Sequence, residues 1–218
     1  LTTDLSRRFF KRQERITVTG YPLRRELMAW TKNDGLAYFH FDSTVPTLLF
    51  MGGSSGARSI NQAVTAIVGR LIEPYQVIPL TGHLDWETVR AKTADLGPRY
   101  QAFPYLHEVG AAYAAADLVI SRSGASTLGE YPYFGLPAIL VPYPYAWRYQ
   151  KVNADYLVEH GAAVILEDNR LENELYQTIS RLMADPMRLA GMSRAMASLS
   201  EPDSSERITA LLYDMAEV

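Results

Sequence analysis

The sequence predicts an α/β protein built on a parallel sheet with helices on both faces. Two observations carry that expectation. From Thr47 onward, apolar runs of strand length alternate with segments of helical periodicity, and a βαβα order needs crossovers that lay helices over the sheet. Two strand exits are also rich in glycine and serine, at MGGSSGAR (Met51 to Arg58) and ISRSGAST (Ile120 to Thr127), as a sharp strand-to-helix turn requires.

The elements follow in order. TLLFMGG (Thr47 to Gly53) reads as a strand, and in ARSINQAVTAIVGRLI the residues Ile60, Val64, Ile67, Val68 and Leu71 form the apolar stripe of an amphipathic helix. YQVIPLTG is a second strand, and WETVRAKTADLG a helix closed by Gly97. RYQAFPY, DLVIS, LPAILVPY and AAVILED supply further short strands. LENELYQTISRLMAD, PMRLAGMSRAMASLS and SSERITALLYDMAEV read as three successive helices. Before Thr47 the pattern is less regular: RITVTGYPLRREL holds a possible strand and turn, and MAWTKNDGLAYFHFDSTVP resembles a linker.

Composition bounds the function. With 218 residues and 48% hydrophobic content the chain can bury one large domain or two small ones. A net charge of −3 gives no basic footprint for nucleic acid. Cysteine is absent, which excludes disulfides, thiolate metal sites and a cysteine nucleophile and fits a reducing compartment. No apolar run reaches the roughly 18 residues of a membrane span, and no signal-peptide pattern opens the chain. A start at Leu1 without methionine reads as a fragment or processed chain, which leaves room for a missing partner domain.

Open parallel sheets bind ligands beyond the carboxyl ends of their strands, so the two glycine-rich exits are the candidate sites. The first, with Gly52, Gly53, Ser54, Ser55 and Gly56, lacks the lysine of a P-loop and the full G-x-G-x-x-G order. An ordinary turn explains it equally well. At the second, a helix starting near Gly124 would aim the N–H groups of Ala125, Ser126 and Thr127 at an anion. Glu130 would share a helix face with Ser126 and Thr127, an offset that suits a diphosphate at the helix tip with a ribose alongside. The plainer alternative makes Ser123 a cap and Glu130 a solvated residue.

GGSSGARSINQAV, YAAADLVISRSGASTLGE, GLPAILVPYP and YQKVNADYLVEHGAAVIL together resemble, in order and spacing, the donor-binding half of the MurG glycosyltransferases. TVTGYPLRREL is similar to the segment by which that family enters its second domain. The resemblance implies a Rossmann-like domain, the C-terminal half of a GT-B transferase, over residues 46–218. Residues 1–45 would be the end of the N-terminal domain and the interdomain linker. The implied activity is inverting transfer of N-acetylglucosamine from UDP-N-acetylglucosamine to a lipid-linked muramyl-pentapeptide in peptidoglycan synthesis. It implies no cofactor and no metal, and a peripheral place at the inner face of the bacterial cell membrane, through the missing domain.

Carried over residue by residue, the resemblance assigns Ser54 and the turn from Ser123 through Gly124, Ala125 and Ser126 to Thr127 to the donor diphosphate. Glu130 takes the ribose, the backbone of Leu106 reads the uracil edge with Tyr105 beside it, Arg24 lies near the nucleotide, and Gln150 bonds the sugar hydroxyls. Asn153 orders the local helix. One departure stands out: AWRYQ puts Trp147 and Tyr149 where the family carries polar residues, so stacking on a sugar or on the partner domain competes with a role as loop aromatics. His40, His83, His107 and His160 are scattered without metal-ligand spacing. The resemblance puts the catalytic base on the missing domain, leaving this chain to stabilise departing UDP, and implies a chain inactive by itself. A nucleotide-sugar-binding subunit that needs a separate acceptor-binding partner, and a related GT-B transferase with another lipid acceptor, are the alternatives.

Overall fold

The computed structural model describes residues 1–53, 56–145 and 149–216. Two 3-10 turns, Asp4–Phe9 and Gln13–Arg15, lead to helices α1 (Arg25–Met28) and α2 (Lys32–Tyr38). There follow β1 (Thr47–Met51), α3 (Arg58–Leu71), β2 (Gln76–Leu80), α4 (Trp86–Thr93), α5 (Val109–Ala115) and β3 (Leu118–Ser121). A 3-10 turn (Ala125–Leu128) precedes α6 (Glu130–Phe134), β4 (Ala138–Leu140), α7 (Tyr149–Glu159) and β5 (Ala163–Ile165). Helices α8 (Leu171–Met183), α9 (Pro186–Ala197) and α10 (Ser204–Ala216) close the described chain.

The sheet order is β2-β1-β3-β4-β5, with every pair parallel. This is the expected α/β architecture, and it explains the unbroken apolar runs: Leu48, Leu49, Leu118, Ile120 and Ile139 are buried because helices cover both faces. One apolar cluster gathers α2, α5, α6 and α7 against the sheet around Leu49, Val119 and Ala138. The other packs α3 and α8 on the opposite face around Leu48, Ile120 and Ile139. The chain order reverses between β1 and β3, so the crevice beyond those two strands is the switch point where such sheets take ligands.

Three elements depart from the sequence reading. RYQAFPY is not a regular strand; it runs beside β2 with isolated parallel bridges at Tyr100 and Phe103. Val77 and Thr81 donate to Arg99 and Phe103, but Pro79, between them, has no N–H to offer. The linker-like stretch holds α2, opened by a capping box in which Thr31 and Asp34 satisfy each other's backbone N–H. Its Leu36 and the following Phe39 are buried in the first cluster. The suspected strand in RITVTG forms no regular element, the chain instead turning at Gly20 with φ +83°.

Candidate active site

The turn after β1 is built around backbone approach. Gly56 has φ +78°, and a Cβ there would stand 2.2 Å from the carbonyl oxygen of Thr81, so only glycine lets the chain pass β2 before α3 begins. The 14-residue α3 starts without a side-chain cap, and its first N–H groups face the crevice with the positive end of the helix dipole. Ser54 and Ser55 lie outside the described residues.

The turn after β3 answers why SRSGAST is small and polar. Ser123, fully buried, donates its hydroxyl to the Gln150 carbonyl at 2.7 Å, while Asn153 Nδ2 donates to the Ser123 carbonyl at 3.0 Å. Two reciprocal bonds thus clamp α7 onto the turn. Thr127 donates its hydroxyl and its N–H back to the Gly124 carbonyl at 2.7 and 3.2 Å. The side chains of Ser123 and Thr127 and the Thr127 amide are therefore committed within the protein, against the expectation that all would face an anion. Among the described residues, the amides of Ala125 and Ser126 keep no backbone partner.

The expected helix from Gly124 is also corrected. The chain makes a 3-10 turn and breaks at Gly129, and α6 starts only at Glu130. Pro132 is the cause: in a continuous helix it could not donate to the Leu128 carbonyl, whereas in the first turn of α6 it is tolerated. A short 3-10 turn has poorer alignment than an α-helix, so the main dipole aimed at the crevice is that of α3. Gly124 has φ −66°, open to any residue, and an added Cβ would meet nothing within 4 Å. Its small size leaves space in front of the turn.

Between the two turns lies a cleft of about 630 Å³ whose walls include Gly52, Gly56, Ser59, Arg122, Gln150 and Asp168. Arg122 enters from the end of β3. It pairs with Asp168 at 2.5 Å and donates to Ser59 Oγ at 2.8 Å, and Ser59 donates in turn to Asp168 at 2.7 Å. The guanidinium also sits 5.1 Å from the centre of the Tyr143 ring. Sequence reasoning missed this arginine, though a charged residue ending an otherwise apolar strand was a visible signal. Gln150 accepts the Tyr143 N–H on Oε1 at 2.9 Å, and among the described residues its NH₂ group has no partner and can donate into the cleft.

Glu130 forms a second part of the site. Tyr113 donates to its Oε2 at 2.8 Å. Burial raises the Glu130 carboxyl above the usual glutamate value, opposed by hydrogen bonds from Tyr113 and Ser126 and by the charge of Arg24. The structure thus brings Arg24, Ser126 and Glu130 together, with Tyr21 beside them packed on Gly129. Leu106 buries its side chain in the cluster that also holds Tyr113 and Tyr131, so its main chain is what a ligand could meet. Tyr105 is exposed between His83, stacked at 6.4 Å, and His107, edge-on at 4.9 Å. Tyr149 opens α7 and is 69% exposed; Trp147 lies outside the described residues.

Residues 47–208 match the family model for the glycosyltransferase family 28 C-terminal domain. The chain belongs to that family. An enzyme of Chlorobaculum tepidum named UDP-N-acetylglucosamine--N-acetylmuramyl-(pentapeptide) pyrophosphoryl-undecaprenol N-acetylglucosamine transferase is 40% identical over 97% of the chain. A Roseiflexus enzyme of the same name is 38% identical over 92% of the chain. The chain spans only 59% and 51% of these two proteins. The crystal structure of Acinetobacter baumannii MurG superimposes with a TM-score of 0.72 at 24% identity, covering 91% of this chain and 57% of that one. The MurG resemblance and the Rossmann-like α/β fold expected from the alternation of strands and helices are both borne out.

Proposed function

We propose that this family 28 chain is the donor-binding domain of an inverting hexosyltransferase that moves N-acetylglucosamine from UDP-N-acetylglucosamine to a lipid-linked muramyl-pentapeptide. The observation that carries the reading is the pairing, at the sheet's switch point, of an amide-lined double turn with a half-buried carboxylate on a chain up to 40% identical to transferases of that name. In this reading the diphosphate lies across the N-terminus of α3 and the Ala125 and Ser126 amides, where preorganised N–H groups stabilise charge developing on departing UDP. Glu130 accepts the ribose hydroxyls, the main chain near Leu106 reads the uracil, and the Gln150 NH₂ donates to the sugar.

Arg122 adds positive charge, partly offset by Asp168, so the anion is held chiefly by N–H groups. The acceptor site and the base that deprotonates the acceptor hydroxyl belong to a second domain, which also makes the peripheral membrane contact. Among the described residues no helix is long and apolar enough to cross a membrane. Calorimetric titration tests the reading: UDP and UDP-N-acetylglucosamine bind and NAD does not. Preference for NAD, or no binding of either uridine nucleotide, would overturn it.

A further inference from the structure

We infer that Tyr113 is a positioning residue for the ribose, acting through Glu130: its phenolic hydroxyl fixes one carboxylate oxygen so that the other meets the nucleotide already oriented. This rests on the reading of Glu130 given above.

Tyr113 stands on α5, and Glu130 is the first residue of α6. A glutamate at that position has three side-chain torsions and, unanchored, would sample many orientations. The 2.8 Å bond to Oε2 fixes that oxygen before a ligand arrives, beside Ser126, whose side chain also bonds the carboxyl. Tyr113 is itself held by packing. Its side chain is buried, edge-on to Tyr131 at 5.6 Å and tilted against Phe134 at 5.6 Å, and Tyr131 is held by donating to Ser121 Oγ at 2.7 Å. A phenol has one proton to give, and burial keeps the Tyr113 proton in place far into the alkaline range. The donor is therefore constant, and a bond made to the carboxylate favours the ionised form.

The titratable and charged groups acting on Glu130 are Tyr113 from α5, Arg24 ahead of α1, Tyr21 packed on Gly129 and Tyr131 beside it on α6. Of these Tyr113 and Arg24 favour the carboxylate. Tyr113→Phe keeps the ring packing and removes only the hydroxyl.

The test measures binding of UDP-N-acetylglucosamine, UDP and 2′-deoxy-UDP to the parent chain, Tyr113→Phe, Glu130→Gln and the double variant across pH. We expect Tyr113→Phe to weaken UDP about five- to tenfold, to narrow the preference for UDP over the 2′-deoxy nucleotide, and to move the acid loss of UDP-N-acetylglucosamine affinity to higher pH. In the Glu130→Gln background the same change should have no further effect on ribose preference. Unchanged preference and pH profile in Tyr113→Phe, with Glu130→Gln still damaging, would overturn the inference alone. A harmless Glu130→Gln would instead overturn the ribose assignment beneath it. Should Tyr113→Phe unfold at the assay temperature, 3-fluorotyrosine at position 113, a stronger donor, must shift the acid loss to lower pH; an unmoved profile counts against the inference.

Discussion

Arg122 Nη1 lies 2.5 Å from Asp168 Oδ1, joining the exit of β3 to the turn before α8. The side chains are 10% and 23% exposed, so neither charge is well solvated alone. Arg122→Met should destabilise the chain by about 1–3 kcal/mol, less than breaking a fully buried pair because water still reaches Asp168. Adding Asp168→Asn should restore much of that loss. Denaturant unfolding reads both values, and a double variant no more stable than the single one would count against electrostatic coupling.

Glu130 supports a pH prediction. Its contribution to nucleotide affinity comes from the carboxylate, so it is complete above the folded-state pKa and is lost as pH falls through it. Burial raises that pKa, and the loss therefore begins at a higher pH than for an exposed glutamate. UDP-N-acetylglucosamine is the proper probe, since its diphosphate has no free terminal phosphate to titrate. Glu130→Ala should cost about 1.5–3 kcal/mol of binding at neutral pH and flatten the acid side of the profile. A parent profile that stays flat down to the ordinary glutamate range would remove Glu130 from the contact.

Gly124→Val separates ligand approach from folding. With φ at −66° and open space where the side chain would go, the turn can accept valine without strain. The melting temperature should hold within a few degrees while UDP affinity falls at least tenfold and uridine affinity changes little, because only the diphosphate is crowded. Equal loss for both ligands would place the diphosphate elsewhere.

Helix α2 shows what the sequence did and did not disclose. The alternating pattern after Thr47 was legible because β1 to β4 are buried on both faces and α3 and α8 on one, which leaves long apolar runs and clean stripes. TKNDGLAYF was read as linker because Gly35 and the polar start hide a seven-residue helix, yet Thr31 and Asp34 spell its capping box. Gly35 is there for contact: a Cβ would stand 2.5 Å from the Ala111 carbonyl of α5. Site residues were legible as positions but not as partners. Nothing in SRSGAST tells that Ser123 spends its hydroxyl on Gln150 or that Tyr113 reaches Glu130, since those bonds join separate elements, and the Thr127 bond to Gly124, though local, depends on a 3-10 turn in place of the expected helix.

If α2 belongs to the core, Phe39→Ala should be expensive. The ring is 1% exposed and meets Phe103 and Tyr38 edge-on at 5.9 and 5.0 Å. Emptying that site costs about 3–5 kcal/mol in comparable cores, read as a lower denaturant midpoint. A loss under 1 kcal/mol would return residues 32–39 to the role of a linker.

The last expectation concerns turnover. Residues 1–218 should bind the donor and transfer no sugar, because the groups gathered at the switch point of the sheet suit a nucleotide and a leaving diphosphate rather than an acceptor. Proton transfer from an acceptor hydroxyl needs a base within about 2.6–3.2 Å, and alignment of the two substrates can supply about 7–11 kcal/mol of the barrier. In the proposed scheme both come from a second domain, and adding the portion of a relative that this chain does not cover, in cis or as a separate chain, should restore transfer to a lipid-linked muramyl-pentapeptide. Donor hydrolysis and transfer are followed separately, by UDP release and by labelled sugar in the lipid fraction. Rapid transfer by this chain alone would put the base within it, and His107 and Glu108, both exposed beside Leu106, would be the first residues to replace.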